Sequence, residues 1–322
     1  MKHWKRLAAL VMVVGCMLLC VSCGTSSELR LGTGGTGGTY YAYGNALGQV
    51  LEDELDSTVE VKATAGSAAN LRLLRDEFLQ MAIVQSDTLL DAVNGTGAFD
   101  GEACTNIKAV AGLYTEACQI VVAADSDIYT VADLYGKRVS VGEEDSGVLR
   151  NAEQILLAAG LTTDMLDAQN LSFVDSAAAM QAGELDAFFC TAGAPTTAVA
   201  ELARQMDVRI LSLDEEAMDS MMQLYPQYVK CTIPAGTYQG QDEDVQTLGV
   251  KAVLVASDNL SADTVENVLT ALFDNADQIQ YSTGVTTEKD LQFATENIGV
   301  AFHSGAQAYY SEHGVEVEEA AE

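Results

Sequence analysis

Short apolar runs alternate with helically spaced apolar residues along most of this chain, the rhythm of strands and helices wound alternately into an α/β fold. The strand candidates are Leu29 to Leu31, Val59 to Ala63, Met81 to Val84, Ile107 to Ala111, Gln119 to Ala123, Arg138 to Val141, Leu171 to Val174, Ala187 to Cys190, Val208 to Ser212 and Val250 to Val255. Helices are expected between them. Leu71, Leu74 and Phe78 recur at helical spacing after Ser67, which suits an N-cap; Ala152, Ile155, Leu156 and Ala159 do so after Asp145 or Ser146, and Gly160 ends that run. Pro195 suits the first turn of a third helix.

Each of these helices starts directly after a strand. In open parallel α/β sheets, ligands sit beyond the carboxyl ends of strands, where loops and helix N-termini converge. Five loops rich in small polar residues occupy that position: Thr33 to Tyr40, Thr64 to Ser67, Gln85 to Asp87, Gly142 to Gly147 and Thr191 to Pro195. Their shared position and chemistry predict one site.

The first of these loops also carries a motif. Gly32, Gly34 and Gly37 satisfy G-x-G-x-x-G after a short strand, and Glu60 stands near the end of the second strand, where a ribose-binding acid would be expected. Glu60 alternates with Val59 and Val61, however, which a solvent-facing strand position explains equally well. No G-K-[ST] follows the glycines, no G-x-S-x-G occurs, and nothing resembles C-x-x-C, so a P-loop, a serine hydrolase and zinc chemistry are unsupported. Beyond the leader only His303 and His313 remain, and His303 in FHSGA reads as packing or capping before it reads as a base. No enzyme, no cofactor and no metal is expected.

The N-terminus sets the compartment. Lys2, Lys5 and Arg6 precede an apolar stretch from Leu7 to about Val21, followed by small residues, which is a secretory signal and is shorter than the roughly 20 residues of a typical membrane span. The segment C-V-S-C-G, Cys20 to Gly24, resembles the lipobox of bacterial lipoproteins, with Cys23 as the lipidated residue. An exported protein anchored by lipid outside the cytoplasm meets no pool of NAD, which weakens the dinucleotide reading. Of the cysteines that remain, Cys104, Cys118, Cys190 and Cys231 allow three pairings, while Cys118 and Cys190 read equally well as buried thiols.

With 47 acidic against 16 basic residues, the chain carries a formal charge of -31 and will repel nucleic acid and anionic membrane surfaces. Membrane attachment is therefore expected through lipid alone.

The order of motifs resembles that of the TAXI family of TRAP-transporter solute receptors: LGTGGTGGTYYAYGNALGQVL from Leu31, ATAGSAANLRLL from Ala63, IVQSD from Ile83, LYGKRVSVG from Leu134, AGAPT from Ala192, IPAGTY from Ile233 and FHSGAQAYY from Phe302. Ala65 stands where the family usually has a second glycine, and Ala301 where it often has proline.

The resemblance implies a two-lobed, periplasmic-binding-protein-like receptor of the class II Venus-flytrap type, each lobe a mostly parallel sheet flanked by helices. Residues 1–23 would be the lipoprotein signal, 24–28 a tether, 29–120 with 250–322 the first lobe and 121–249 the second. The chain would cross near Gln119 to Ala124 and return near Val250 to Val255. Such a receptor, a monomer, delivers a small carboxylate such as glutamate, glutamine or 2-oxoglutarate to sodium-coupled TRAP membrane subunits. A lipoprotein serving an ABC transporter or a sensor would have the same fold, and a secreted nucleotide-binding enzyme is a more distant alternative.

In that setting Thr33, Gly34, Gly35, Thr36 and Thr39 would bind one carboxylate by N–H groups and hydroxyls, with Tyr40 closing over the aliphatic part. Ser67, Asn70, Gln85 and Ser86 would add polar contacts. Asp87 would bind a ligand amine or cap its own helix. From the other lobe Ser146 and Gly147, and Thr191, Gly193 and Pro195, would offer helix N-termini. Arg138 and Arg150 either offset the local acidity or are surface groups.

Overall fold

The computed structural model describes residues 28–55 and 57–317, so the expected signal sequence and the lipidation site Cys23 lie outside the described residues. The chain runs β1 (Glu28–Gly32), α1 (Thr39–Leu55), β2 (Thr58–Lys62), α2 (Ser67–Arg75), β3 (Met81–Gln85), α3 (Ser86–Asn94) and β4 (Ile107–Ala123). It continues through β5 (Arg138–Ser140), α4 (Gly147–Ala158), β6 (Asp167–Gln169), α5 (Phe173–Gln181), β7 (Ala187–Ala192), α6 (Thr197–Ala203), β8 (Val208–Ile210), α7 (Glu215–Leu224) and β9 (Val229–Ile233). It closes with β10 (Val245–Ser257), α8 (Ala262–Asp274), α9 (Ala276–Thr283), α10 (Leu291–Thr295) and α11 (Ser304–Glu312).

One continuous sheet carries both lobes, in the order β2-β1-β3-β10-β4-β7-β5-β6, with β8 also on β4 and β9 also on β10. β1, β2 and β3 are parallel, as are β5, β6 and β7; β10 runs antiparallel to β3 and β4, and β4 antiparallel to β7. The two long strands join the lobes. β4 leaves the first core after Tyr114 and enters the second at Ala117 and Cys118, while β10 passes from Val250 in the second core to Ala252 in the first. Glu116 pairs with Val250 and Tyr114 with Ala252, so the crossing is a laddered pair of strands.

Period-two alternation explains how one strand serves two layers. On β4, Cys118, Ile120 and Val122 pack into the cluster under α4 and α7, whereas Ala117 and Val121 pack into the opposite cluster with Phe188 and Val199. In the first lobe Leu31, Ile83 and Leu254 from the sheet meet Leu47, Leu71 and Tyr310 from the helices, all fully buried.

The expected two-lobed α/β architecture is the one the chain adopts. Several elements differ from their sequence-based expectation. Ile107 to Ala111 and Gln119 to Ala123 are two ends of the single strand β4; the polar Thr115 and Glu116 break the apolar run because they lie at the crossing between cores. Leu171 to Val174 is no strand: Ser172 caps α5, its Oγ accepting from the N–H of Asp175 at 3.1 Å. Ser67 opens α2 as its first residue and uses its Oγ to accept from Gln85 N at 3.0 Å. Ser146 is the cap of α4, accepting from Leu149 N at 3.1 Å. Pro195 precedes Thr196, the residue that flanks α6. β6 and β9 escaped the sequence pattern because both are short and largely solvated.

Leu254 is fully buried in the middle of β10. Leu254→Ala should cost about 2–5 kcal/mol by removing side-chain contacts and leaving a cavity. Urea unfolding should show this as a lower midpoint with an unchanged slope.

Candidate functional site

A cavity of about 390 Å³ lies at the crossing, between the two lobes. From the first lobe it is lined by Gly34 to Tyr40, Ala63, Ala65, Gly66, Ser67 and Gln85; from the crossing strand by Glu116; and from the second lobe by Glu143, Ser146 to Val148, Leu171 to Asp175, Thr191 and Ala192. The N-terminal ends of α1, α2, α4 and α5 therefore all open onto one volume. The first N–H groups of a helix lack intrahelical partners and carry the positive end of its dipole, so these ends favour an anionic group.

The first loop is held from behind. Thr33 donates its hydroxyl to Lys62 O at 2.7 Å, and its carbonyl accepts from Thr64 Oγ1 and from Asn70 Nδ2. Asn70 Nδ2 also donates to Ile83 O at 2.9 Å, tying α2 to β3. Neither Thr33 nor Asn70 lines the cavity; both are spent on aligning the strands that do. In front, the loop meets the other lobe. Thr39 Oγ1 donates to Gly193 O at 3.0 Å, and Ala198 N to Gly37 O at 3.2 Å. A Cβ at Gly37 would stand 2.6 Å from Val174 Cγ2, so glycine there permits the lobes to approach.

A second inter-lobe contact runs through buried amides. Gln85 Nε2 donates to Asn151 Oδ1 at 3.0 Å, while Asn151 Nδ2 donates to Asp87 Oδ2 at 2.9 Å and to Tyr228 Oη at 2.7 Å. Asp87 takes the N–H of Thr88 at 2.7 Å and faces Arg150 Nε at 3.5 Å; Arg150 Nη2 meets Asp91 at 2.9 Å. Burial raises the pKa of the Asp87 carboxyl, and the Arg150 charge opposes that rise. Asp87 is thus a buried fastener between lobes, outside the cavity lining. Arg72 pairs with Asp145 across the same junction.

Of the other sequence candidates, Ser86 accepts from Lys251 N at 3.3 Å, and Gly193 uses its carbonyl for Thr39 and Thr196 Oγ1. Neither lines the cavity, nor does the exposed Pro195. Arg138 is bound to Asp186 at 2.5 Å and Arg150 to Asp87 and Asp91, so neither arginine reaches the cavity. Gly34, Gly35, Thr36, Thr39, Tyr40, Ser67, Gln85, Ser146, Gly147 and Thr191 are brought together around it. His303 caps α11, accepting from Gly305 N at 3.2 Å, and its Nε2 lies 3.0 Å from Leu260 O. Glu60 pairs with Lys62 on β2, and Cys104, Cys118, Cys190 and Cys231 are all free thiols. Among the described residues no His, Cys, Asp and Glu cluster suits a metal, and no helix is long and apolar enough to cross a membrane.

Sequence reasoning missed Glu116 and the segment Leu171 to Asp175. Glu116 is 1% exposed, and its Oε1 accepts from Tyr40 Oη at 2.6 Å. Burial pushes its pKa well above the ordinary 4.5, the Tyr40 hydroxyl pulls the other way, and the Asp87 charge adds to the rise. Glu143 is raised by burial and then by Asp175. The signal for Glu116 was a lone acid inside an apolar run, which periodicity treats as a break.

Two lobes on a shared sheet, hinged by two strands and enclosing a cavity, define a periplasmic-binding-protein-like fold. An ancestral arginine-binding protein bound to arginine matches with a TM-score of 0.51 and 14% identity, over 79% of this chain and 96% of that one. The ligand-binding component of an ABC-type import system from Staphylococcus aureus, with zinc bound, matches at 0.50 and 12% identity, over 91% and 96%. The alkanesulfonate-binding protein SsuA from Xanthomonas axonopodis pv. citri, bound to MOPS, matches at 0.48 and 16% identity, over 80% of each chain. Residues 31–314 match the NMT1-like family, and the chain belongs to it.

A raised folded-state pKa at Glu116 means stability that is complete below about 4.5 and is lost as pH rises through the elevated value. Glu116→Gln keeps an acceptor for Tyr40 and removes the titration. Its Tm should exceed that of the ligand-free wild type at neutral pH and converge with it as pH falls toward 4.5. Parallel Tm profiles from pH 4 to 8 would show that Glu116 is not a buried acid.

Proposed function

We propose that this protein is an extracytoplasmic solute receptor, anchored by lipid at Cys23, that captures a small carboxylate between its lobes and delivers it to a membrane transporter. The observation that carries the reading is the convergence of four helix N-termini on one inter-lobe cavity. Gly34, Gly35, Thr36, Thr39 and Tyr40 would receive the carboxylate from one side. Ser67 and Gln85 would add first-lobe contacts, and Ser146, Gly147 and Thr191 would close from the other lobe. Closing brings Arg72 to Asp145 and Arg150 to Asp87. The ligand can shift the equilibrium between open and closed forms only by the contacts it gains in the closed one.

The transporter is assigned to the TRAP type on the motif order of the first loop, IPAGTY and FHSGAQAYY. An ABC-type partner would need the same fold, and co-purification of the membrane subunits from native membranes separates the two. A thermal-shift panel of amino and organic acids tests the receptor reading. A binder at ~100 times its dissociation constant should stabilise by ~2.7 kcal/mol, and no shift across the panel would overturn it.

Closure is testable at Gly147, where a Cβ would stand 1.7 Å from Gln85 Oε1 of the opposite lobe. Gly147→Ala should hold the lobes apart: a carboxylate that binds the wild type should bind at least about tenfold more weakly, a loss of ~1.4 kcal/mol. Small-angle scattering should find no ligand-induced compaction in the variant. Undiminished affinity would show that this junction does not need to close.

A further inference from the structure

Among the described residues no lysine or arginine lines the cavity, whereas Glu116, Glu143 and Asp175 do. The arginines around the lobe junction are committed elsewhere, Arg72 to Asp145 and Arg150 to Asp87 and Asp91. A ligand with two carboxylates would bring a second negative charge into an inter-lobe cleft that already holds three acids and no fixed cation. One carboxylate can be met by helix N-termini; a second has no counterpart.

The acceptors in the cavity point to what the rest of the ligand carries. Tyr40 donates to Glu116 Oε1, the Gln85 side chain also hydrogen-bonds to this carboxyl group, and Glu116 lines the cavity. Gln85 lines the same space, and its orientation is set by its neighbours. Asn151 spends Nδ2 on Asp87 and Tyr228, so its Oδ1 must accept from Gln85 Nε2, which leaves Gln85 Oε1 as the free end. That oxygen is buried and has no protein donor, although Gln85 is only 2% exposed. A buried acceptor without a hydrogen is costly. An ammonium group supplies three donors and the charge that Glu116 lacks. Leu171, Phe173, Val174 and Val148 supply apolar surface to the same cavity.

Resting on the receptor reading above, we infer that the ligand is a zwitterionic amino acid with an uncharged side chain, its ammonium group held by Glu116 and Gln85 and its carboxylate by the helix N-termini. Dicarboxylates and acids without an amine are disfavoured at this site. Glutamine satisfies the requirement; glutamate and 2-oxoglutarate do not.

Calorimetry on the purified protein tests this with uncharged L-amino acids, including glutamine, against their 2-hydroxy acid counterparts, together with glutamate and 2-oxoglutarate. The amino acid should bind about 10- to 100-fold more tightly than its hydroxy acid, the usual range for one charge-assisted hydrogen-bonding group. Glu116→Gln should abolish that difference. Equal binding of the two series by the wild type, or preference for glutamate or 2-oxoglutarate over glutamine, overturns the ammonium site and leaves the carboxylate receptor standing. Absence of binding by every acid overturns the receptor reading and this inference with it.

Discussion

The antiparallel pairing of β4 with β10 is the constraint on which the rest of the structure depends. Among the described residues these are the two strands that reach both cores, and their ladder runs unbroken in connection, though bulged, from Ile107 and Ser257 in the first lobe to Ala117 and Gly249 at the second. Every other strand belongs to one lobe and is positioned by its place along this pair. Where the ladder passes between cores, a side chain points into the inter-lobe space instead of into packed hydrocarbon. Glu116 occupies that place, so a buried acid is a consequence of the crossing itself.

The two lobes meet through polar groups, and this distinguishes their junction from their interiors. Thr39 to Gly193, Gln85 to Asn151, Asn151 to Asp87 and Arg150 to Asp91 are specific polar contacts across the junction. Such contacts are exchanged for water when the lobes part, at modest net cost. A hydrocarbon junction of the same size would bind the lobes together and cost much more to open. The glycines at 37 and 147 permit the final approach, since a methyl group at either position would collide with the opposite lobe. Separable cores, a two-strand hinge and a polar junction together give a structure suited to opening and closing around a small molecule.

The alternation of apolar runs was enough to establish the α/β class and the position of most strands, because burial on both faces leaves a compositional mark that needs no tertiary information. It was also enough to place the loops after β1, β2, β3, β5 and β7 at the same end of the sheet, and Gly34, Ser67, Gln85, Ser146 and Thr191 do line one cavity. The reading was weaker wherever a polar residue was buried. Thr33 and Asn70 look like ligand contacts in sequence, yet their hydrogen bonds go to backbone carbonyls. Asp87 looks like an amine receptor or a cap, and it is a fastener shared with Asn151 and Arg150.

What the sequence determined by itself was local: strand and helix periods, helix starts such as Ser146, and the small polar character of the loops. The tertiary structure decided which polar groups are left for a ligand. A side chain's hydrogen-bonding capacity is set by its chemistry, but whether that capacity is already used depends on residues distant in the chain, as with Asn151, which orients Gln85 from the opposite lobe. Glu116 shows the same rule most clearly. In sequence it interrupts an apolar run, and only the crossing of two cores turns that interruption into an acid facing the inter-lobe cavity.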